Sequence, residues 1–244
     1  MSINFAVLLD SGFLRHKLGR ARAPLDAEGI CTFAAQIAAM PCLSGMRLYR
    51  VFFYDACPLE SSSTVPLGGG KINFGANRVV ARSKQIQSAL IRSPFFALRF
   101  GELVHEGWRL RKMVLQRPGP RIEIGAEDIE PNIHQKGVDM RIGLDIASLT
   151  LKGQAQVIVL VTGDSDFVPA MKFARREGAQ LFLVTLGHGV RDCMREHADL
   201  VIDDFPLPSV PDLPEASPLP MQAINLHQQL RPAHIRMQHD VLRL

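Results

Sequence analysis

The sequence predicts an α/β fold, a three-layer sandwich around a central, mostly parallel sheet. Three observations carry this. Residues 157–161 read VIVLV, an apolar run without alternation, the pattern of a strand buried on both faces. Ile3–Leu9 is a second run of the same kind. From Lys136 onward, strand-like and helix-like segments alternate, which implies parallel pairing through right-handed crossovers.

In chain order, the first strand, Ile3–Leu9, ends at Asp10 and is followed by a turn at Ser11–Gly12. A helix is expected from about Leu25 to Ala39, with Asp26 and Glu28 near its positive end. Arg47–Tyr54 (RLYRVFFY) reads as the second strand, with Asp55 directly behind it. Residues 56–75 lose periodicity, and Ser61–Ser63 and Gly68–Gly70 mark a loop. A basic helix follows from about Asn77 to Ile91. Phe100–Leu115 then has β character, with a turn at Glu106–Gly107, and Arg117–Pro120 ends it. Residues 56–134 therefore read as a basic insertion in the core. The pattern resumes with a helix at Val138–Leu151, a strand at 157–162, a helix at Phe167–Glu177, a strand at Gln180–Thr185, a short helix at Val190–His197 and a strand at Leu200–Ile202. Pro206–Pro220 holds six prolines in fifteen residues, which forbids regular structure. The expected organisation is one domain over 1–205 and a proline-rich linker and tail over 206–244, where 221–244 is either a disordered tail or a docking helix.

A hydrophobic content of 47% over 244 residues is ample for a sizeable core. No apolar run reaches the roughly 18 residues of a membrane span. The opening MSINFAVLLDSGF lacks a basic n-region and reads as a strand, not a signal peptide. Cys31, Cys42, Cys57 and Cys193 form no CxxC pair, so reduced thiols in a cytoplasmic protein are expected rather than a zinc site. The net charge of +4 is unevenly spread: Lys71–Arg121 holds eleven basic and two acidic residues, leaving −5 on the remainder. A basic stripe on an acidic body suits a polyanion, with an ordinary solvated helix face as the alternative. Arg78, Arg82, Lys84, Arg109, Arg111 and Lys112 are the candidate phosphate contacts. The apolar segment Phe95–Leu98 can pack within the insertion or against a second copy, so a homodimer is open.

The acids carry the chemistry. Asp10 and Asp164 each end an apolar strand, and strands of one parallel sheet present their carboxyl ends to a common crevice where ligands bind. As bland alternatives, Asp10 can serve as a turn or cap residue and Asp166 as the cap of a helix with Pro169 in its first turn. Asp139 lies at the start of the helix at 138–151, where the macrodipole also tolerates an acid. Val138, Ile142, Asp145 and Leu149 form one stripe of that helix, so Asp145 sits where an apolar residue is expected. A buried carboxylate there needs a metal ion or a basic partner, with a surface pair to Arg141 as a further option. Carboxylates without His or Cys suit Mg²⁺ or Mn²⁺, which usually act on phosphates. His188, between two glycines, reads as a loop residue, and Gly68–Gly70 has neither the strand nor the Lys-Ser/Thr of a phosphate cradle.

Three segments together, VLLDSGFL (7–14), KGVDMRIGLDI (136–146) and VTGDSDFVPAMKFARREG (161–178), resemble the NYN domain in its LabA-like form, a branch of the PIN-like ribonuclease superfamily. ADLVID (198–203) continues the likeness, which covers roughly 3–55 and 134–204 and leaves the basic segment and tail outside. The resemblance implies a Rossmann-like PIN core that binds Mg²⁺ or Mn²⁺ and cleaves RNA with a metal-activated water. Its acidic centre carries over to Asp10, Asp139 and Asp164, with Asp166 and Asp145 in support. Lys136 matches the family's lysine, and is either a phosphate contact or a surface residue before a helix. Where many members carry Asn three residues after the first acid, this chain has Phe13, which offers no amide oxygen. The rival expectations are a non-catalytic nucleic-acid-binding or regulatory NYN module and a phosphatase for small substrates.

Overall fold

The structure is a computed structural model and describes residues 2–19, 24–119, 121–205 and 235–236. The elements run β1 (Asn4–Asp10), α1 (Ser11–Leu18), α2 (Ala27–Ala38), β2 (Arg47–Cys57), β3 (Ser62–Thr64), β4 (Lys71–Asn73), α3 (Arg78–Ile91), β5 (Phe96–Leu110), β6 (Glu123–Ile124), β7 (Ile129–Lys136), α4 (Val138–Leu151), β8 (Val157–Val161), α5 (Val168–Arg176), β9 (Gln180–Val184), α6 (Asp192–Glu196) and β10 (Leu200–Ile202), with β11 (Ile235–Arg236) paired antiparallel to β6. The main sheet has the order β10-β9-β8-β1-β2-β5-β7. The pairs β10–β9, β9–β8, β8–β1, β1–β2 and β2–β5 are all parallel. This is the α/β architecture that the unalternating strands predict.

The sheet is buried on both faces because consecutive side chains of a strand point to opposite sides. Phe5, Val7, Leu9, Val51, Phe53, Val157, Val159 and Val161 meet Leu14 of α1, Ile30, Phe33 and Ile37 of α2, and Ile86 and Leu90 of α3. On the other face, α4 packs on β2 and on α5, and α5 packs on β9. There α4 buries Val138, Ile142, Ile146 and Leu149, and α5 buries Met171 and Ala174.

Two expectations change. Ser11–Gly12 is the first turn of a helix, because the Asp10 carboxylate accepts the Gly12 and Phe13 amides and starts α1 without any intervening loop. The segment 56–134 is also divided. One compact unit comprises Met1–Pro58, Arg82–Glu102 and Gln135–Ser209, and the other Leu59–Ala81, Leu103–His134 and Val210–Leu244. Most of α3 and the first half of β5 thus belong to the core unit. The reason is pairing: Phe96–Glu102 of β5 lies beside Val51–Cys57 of β2, and Phe96 and Leu98 pack on the core. β5 is one strand through Glu106–Gly107, with Gly107 at φ 92 rather than at a hairpin turn. The second unit is held by the Arg117 guanidinium on Asp128, whose carboxylate also accepts the Gly125 amide, and by Arg109 on Glu130 at 2.9 Å. Among the described residues no helix is long and apolar enough to cross a membrane. The proline-rich stretch and nearly all of the tail expected over 206–244 lie outside the described residues.

Candidate metal centre

Parallel register sets the site. Leu9 pairs with Val161, so Asp10 and Thr162 leave the sheet side by side at the carboxyl ends of β1 and β8. Asp10 then caps α1: Oδ1 accepts the Gly12 amide at 3.0 Å and the Phe13 amide at 3.3 Å, and Oδ2 accepts the Thr162 hydroxyl at 3.0 Å. Two residues on, Asp164 caps the short turn of 3₁₀ helix at Ser165–Phe167, where its Oδ1 accepts the Asp166 amide at 2.9 Å. Asp166 is exposed on that turn. The third contribution comes from α4. Gly137 precedes it at φ 77, a conformation that costs glycine little and other residues more. That turn ends β7 and starts α4 with Asp139 in its first turn.

These acids lie within reach of one another's fields. Burial pushes the Asp10 carboxyl above its ordinary range and the Asp164 charge adds to this, while the hydrogen bonds from Phe13, Thr162 and Gly12 pull the other way. Asp139 is also pushed up, by partial desolvation first and then by the charges of Asp10, Asp164 and Asp166. Among the described residues neither Asp139 nor the Asp166 side chain is tied down by a hydrogen bond or ion pair. No three His, Cys, Asp or Glu side chains among the described residues close around a single point.

A cleft of about 480 Å³ opens beside Asp10 and Asp164, with Phe13, His16, His188 and Arg191 in its wall. The Phe13 and His188 rings meet edge-on with centroids 5.7 Å apart. They close over Gly163, where an added Cβ would run into both rings, so this position takes only glycine without displacing them. The sequence reading missed His16, Arg191 and Thr162 and treated His188 as a loop residue. Thr162 has one signal, its place directly after β8, whereas His16 in the last turn of α1 and Arg191 at the start of α6 have none.

The remaining predicted residues separate. Asp145 is a correction: it is not with the other acids. Its Oδ2 accepts the Tyr54 hydroxyl and the Arg99 Nε, both at 2.9 Å. The reason is helical geometry, since six residues after Asp139 the helix has turned Asp145 to another side. Of the predicted phosphate contacts, Arg82 donates to the Pro24 carbonyl at 2.6 Å and Arg109 is paired with Glu130. Lys84 and Lys136 also have partners, whereas Arg78, Arg111 and Lys112 are exposed. One acid the sequence reading passed over is the most completely buried. Asp55, 1% exposed, accepts the Ser11 hydroxyl at 2.9 Å, both Arg15 Nη atoms at 2.8 and 2.7 Å, and Gln87 Nε2 at 3.0 Å. It is saturated by donors and ties α1 and α3 to β2.

The model of the NYN domain matches residues 78–205, more than half of the chain. The chain belongs to the NYN domain family. An NYN domain has a PIN-like, nuclease-type fold, in keeping with the sheet above. The NYN match starts at α3 and contains Asp139, Asp164 and Asp166, while Asp10 lies before it. It also takes in α3 and β5, which the sequence reading left outside the likeness. Over 76 residues the chain is 29% identical to an uncharacterized protein of Methanocaldococcus jannaschii, a stretch that is 31% of this chain and 32% of that protein. The match thus spans about a third of the curated relative. A crystal structure of a protein of unknown function from Vibrio parahaemolyticus aligns with a TM-score of 0.47 at 13% identity, covering 82% of this chain and 92% of that one.

Proposed function

We propose that this NYN domain is a metal-dependent ribonuclease that hydrolyses RNA phosphodiester bonds at Asp10, Asp139, Asp164 and Asp166. The observation that supports it is that Asp10 and Asp164 line one cleft and that Asp139, on α4, lies within the field of both: burial and the Asp164 charge raise Asp10, and desolvation and the charges of Asp10, Asp164 and Asp166 raise Asp139. The donor set fits a hard divalent cation. Among the described residues Asp164 Oδ2 meets no donor and Asp139 is unencumbered, and Asp10 has one further lone pair on Oδ2. Mg²⁺ usually keeps several waters and takes only one or two protein carboxylates, so a closed cage of three is not required. Bound there, Mg²⁺ or Mn²⁺ would neutralise charge on the phosphoryl oxygens and lower the pKa of a water.

The chain's own residues have distinct tasks in this reading. The Gly12 and Phe13 amides and Thr162 hold Asp10 in one rotamer. Asp10, Asp139 and Asp164 would hold the ion, one or two of them directly and the rest through its waters, and the exposed Asp166 carboxylate would orient the attacking water and accept its proton. Arg191 and His16, across the cleft, would meet the substrate's charge. RNA cleavage is measured with Mg²⁺ or Mn²⁺ against Asp164→Asn. A loss of at least about 100-fold is expected for removing a group of this kind, and equal rates would remove the assignment. Phe13 supports a second reading, a non-catalytic RNA-binding module, because a ring packed on His188 stands where an amide is common in the family. RNA binding retained without cleavage at any metal concentration would favour it.

A further inference from the structure

Asp145, set apart from the other acids, anchors a second site. Tyr54, 0% exposed, donates to its Oδ2 from inside the core. Burial and the Asp145 charge push the phenol well above its ordinary range, so it remains a donor. The same oxygen accepts Arg99 Nε. Arg99 Nη1 reaches the Leu98 carbonyl at 3.3 Å, and the guanidinium lies 5.1 Å from the centroid of the Phe52 ring. An arginine held through Nε, one Nη and a ring face is already aimed, so little entropy is lost when its remaining donors meet a ligand. Its side chain is still 39% exposed.

Arg99 and Asp145 line a polar pocket of about 300 Å³ that also takes in Arg50 and Lys152. Arg50 projects from the start of β2 and lies over Tyr49, and Lys152 follows the last turn of α4. Among the described residues neither is paired with a carboxylate. Three cations against one carboxylate leave two positive charges in excess. Asp139 lies in the first turn of α4 and Lys152 directly after its last residue, so the length of the helix, roughly 20 Å at about 1.5 Å per residue, separates them. The pocket is therefore separate from the acidic crevice, and nothing in it requires that the chain cleave RNA.

We infer that the pocket formed by Arg50, Arg99 and Lys152 binds a phosphate monoester. Such a group carries about −1.5 to −2 at neutral pH and three acceptor oxygens, matching the excess charge, whereas a phosphodiester carries half of it. Two sources share this chemistry, the terminal phosphate of an RNA and a free nucleotide or inorganic phosphate. The test uses the full-length chain in EDTA, so that metal-dependent cleavage does not interfere. Fluorescence anisotropy compares an RNA octamer bearing a 5′-phosphate with its 5′-hydroxyl twin, and calorimetry measures adenosine monophosphate and inorganic phosphate. The double substitution Arg50→Gln with Lys152→Gln removes two exposed charges, and Lys172→Gln with Arg176→Gln is the charge-matched control elsewhere.

About tenfold preference for the 5′-phosphate, lost in the first pair and kept in the control, supports the pocket with RNA as the source. No preference between the octamers, with monophosphate or phosphate binding weakened about tenfold in the first pair alone, supports it with the free ligand as the source. The inference is overturned if no probe distinguishes the first pair from wild type. It is also overturned if the control pair loses as much.

Discussion

Asp55→Ala tests the frame that holds the acidic centre. The carboxylate takes four hydrogen bonds from other side chains: one from Ser11, two from Arg15 and one from Gln87. Removing it leaves the Ser11 hydroxyl buried without an acceptor, at roughly 1–3 kcal/mol. Gln87 keeps a bond to the Ala56 carbonyl at 3.3 Å and loses less. Arg15 is partly exposed and can turn to water, which discounts the pair below the roughly 3–5 kcal/mol of a fully buried one. Together these give about 3–5 kcal/mol. For a chain of this size that is a fall in melting temperature of roughly 6–20 °C. Asp55→Asn keeps the shape and one acceptor, so its loss should be smaller. Thermal melting of the full chain by circular dichroism reads both. The consequence for function is local, because Asp55 pins α1 and Asp10 caps that same helix. The alanine variant should therefore lose RNA cleavage even well below its melting temperature. An Asp55→Ala chain that melts within about 2 °C of wild type would refute the account of Asp55 as the clamp.

Other expected outcomes follow from the same contacts. Asp139→Asn should stabilise the metal-free chain at pH 7 by about 0.2–1 kcal/mol, a range discounted for solvent screening. A raised folded-state pKa means that the folded chain holds the proton more tightly than the unfolded chain. The penalty is thus fully present above the folded-state pKa and disappears as pH falls below the ordinary carboxylate value of about 4, so urea titrations of the two chains should converge there. Asp128 has the opposite sign: the Arg117 hydrogen bond holds its pKa down, so Arg117→Gln should destabilise in full above about pH 4, and the effect should fade as pH drops further through the depressed folded-state pKa. Mn²⁺ or Mg²⁺ at 100 times its dissociation constant should add about 2.7 kcal/mol to wild-type stability and far less to Asp164→Asn, read by thermal shift. Gly163→Ala forces a methyl into the Phe13 and His188 rings and should cost about 1–3 kcal/mol, with a loss of cleavage larger than the loss of stability explains.

The buried strands were legible because a run such as VIVLV has no polar face, and their carboxyl ends drew attention to Asp10 and Asp164. The same reading went astray where the decisive partner was distant in sequence. A carboxylate on the apolar stripe of α4 announces that Asp145 needs a partner without naming it. The partner, Arg99, lies 46 residues earlier on β5. The lost periodicity of 56–75 made the segment that carries Arg99 read as an insertion outside the core, so the basic partner left open beside a metal ion could not be named. Asp55 was passed over for a related reason. Tyr54 and Asp55 are neighbours on β2 and therefore face opposite sides of the sheet, the tyrosine toward Asp145 and the acid toward Ser11, Arg15 and Gln87. Sequence adjacency hides that separation, and only the helices packed on each face give the two residues their different work.

Asp139 is the sharpest of the site residues for the same kind of reason. Asp10 and Asp164 both cap helical turns, so the fold alone gives each of them a task. Asp139 has none of this kind: among the described residues no donor meets it. The positive end of α4 favours an acid there, yet desolvation and three neighbouring carboxylates outweigh that benefit and leave its proton affinity raised. A residue that contributes little to folding and sits in an unfavourable field is accounted for by what the field attracts. If Asp139→Asn stabilises the metal-free chain and removes the metal-induced shift together, the acid is there for a cation. A variant that is neutral in both would make Asp139 an ordinary first-turn acid and leave Asp10 and Asp164 as caps.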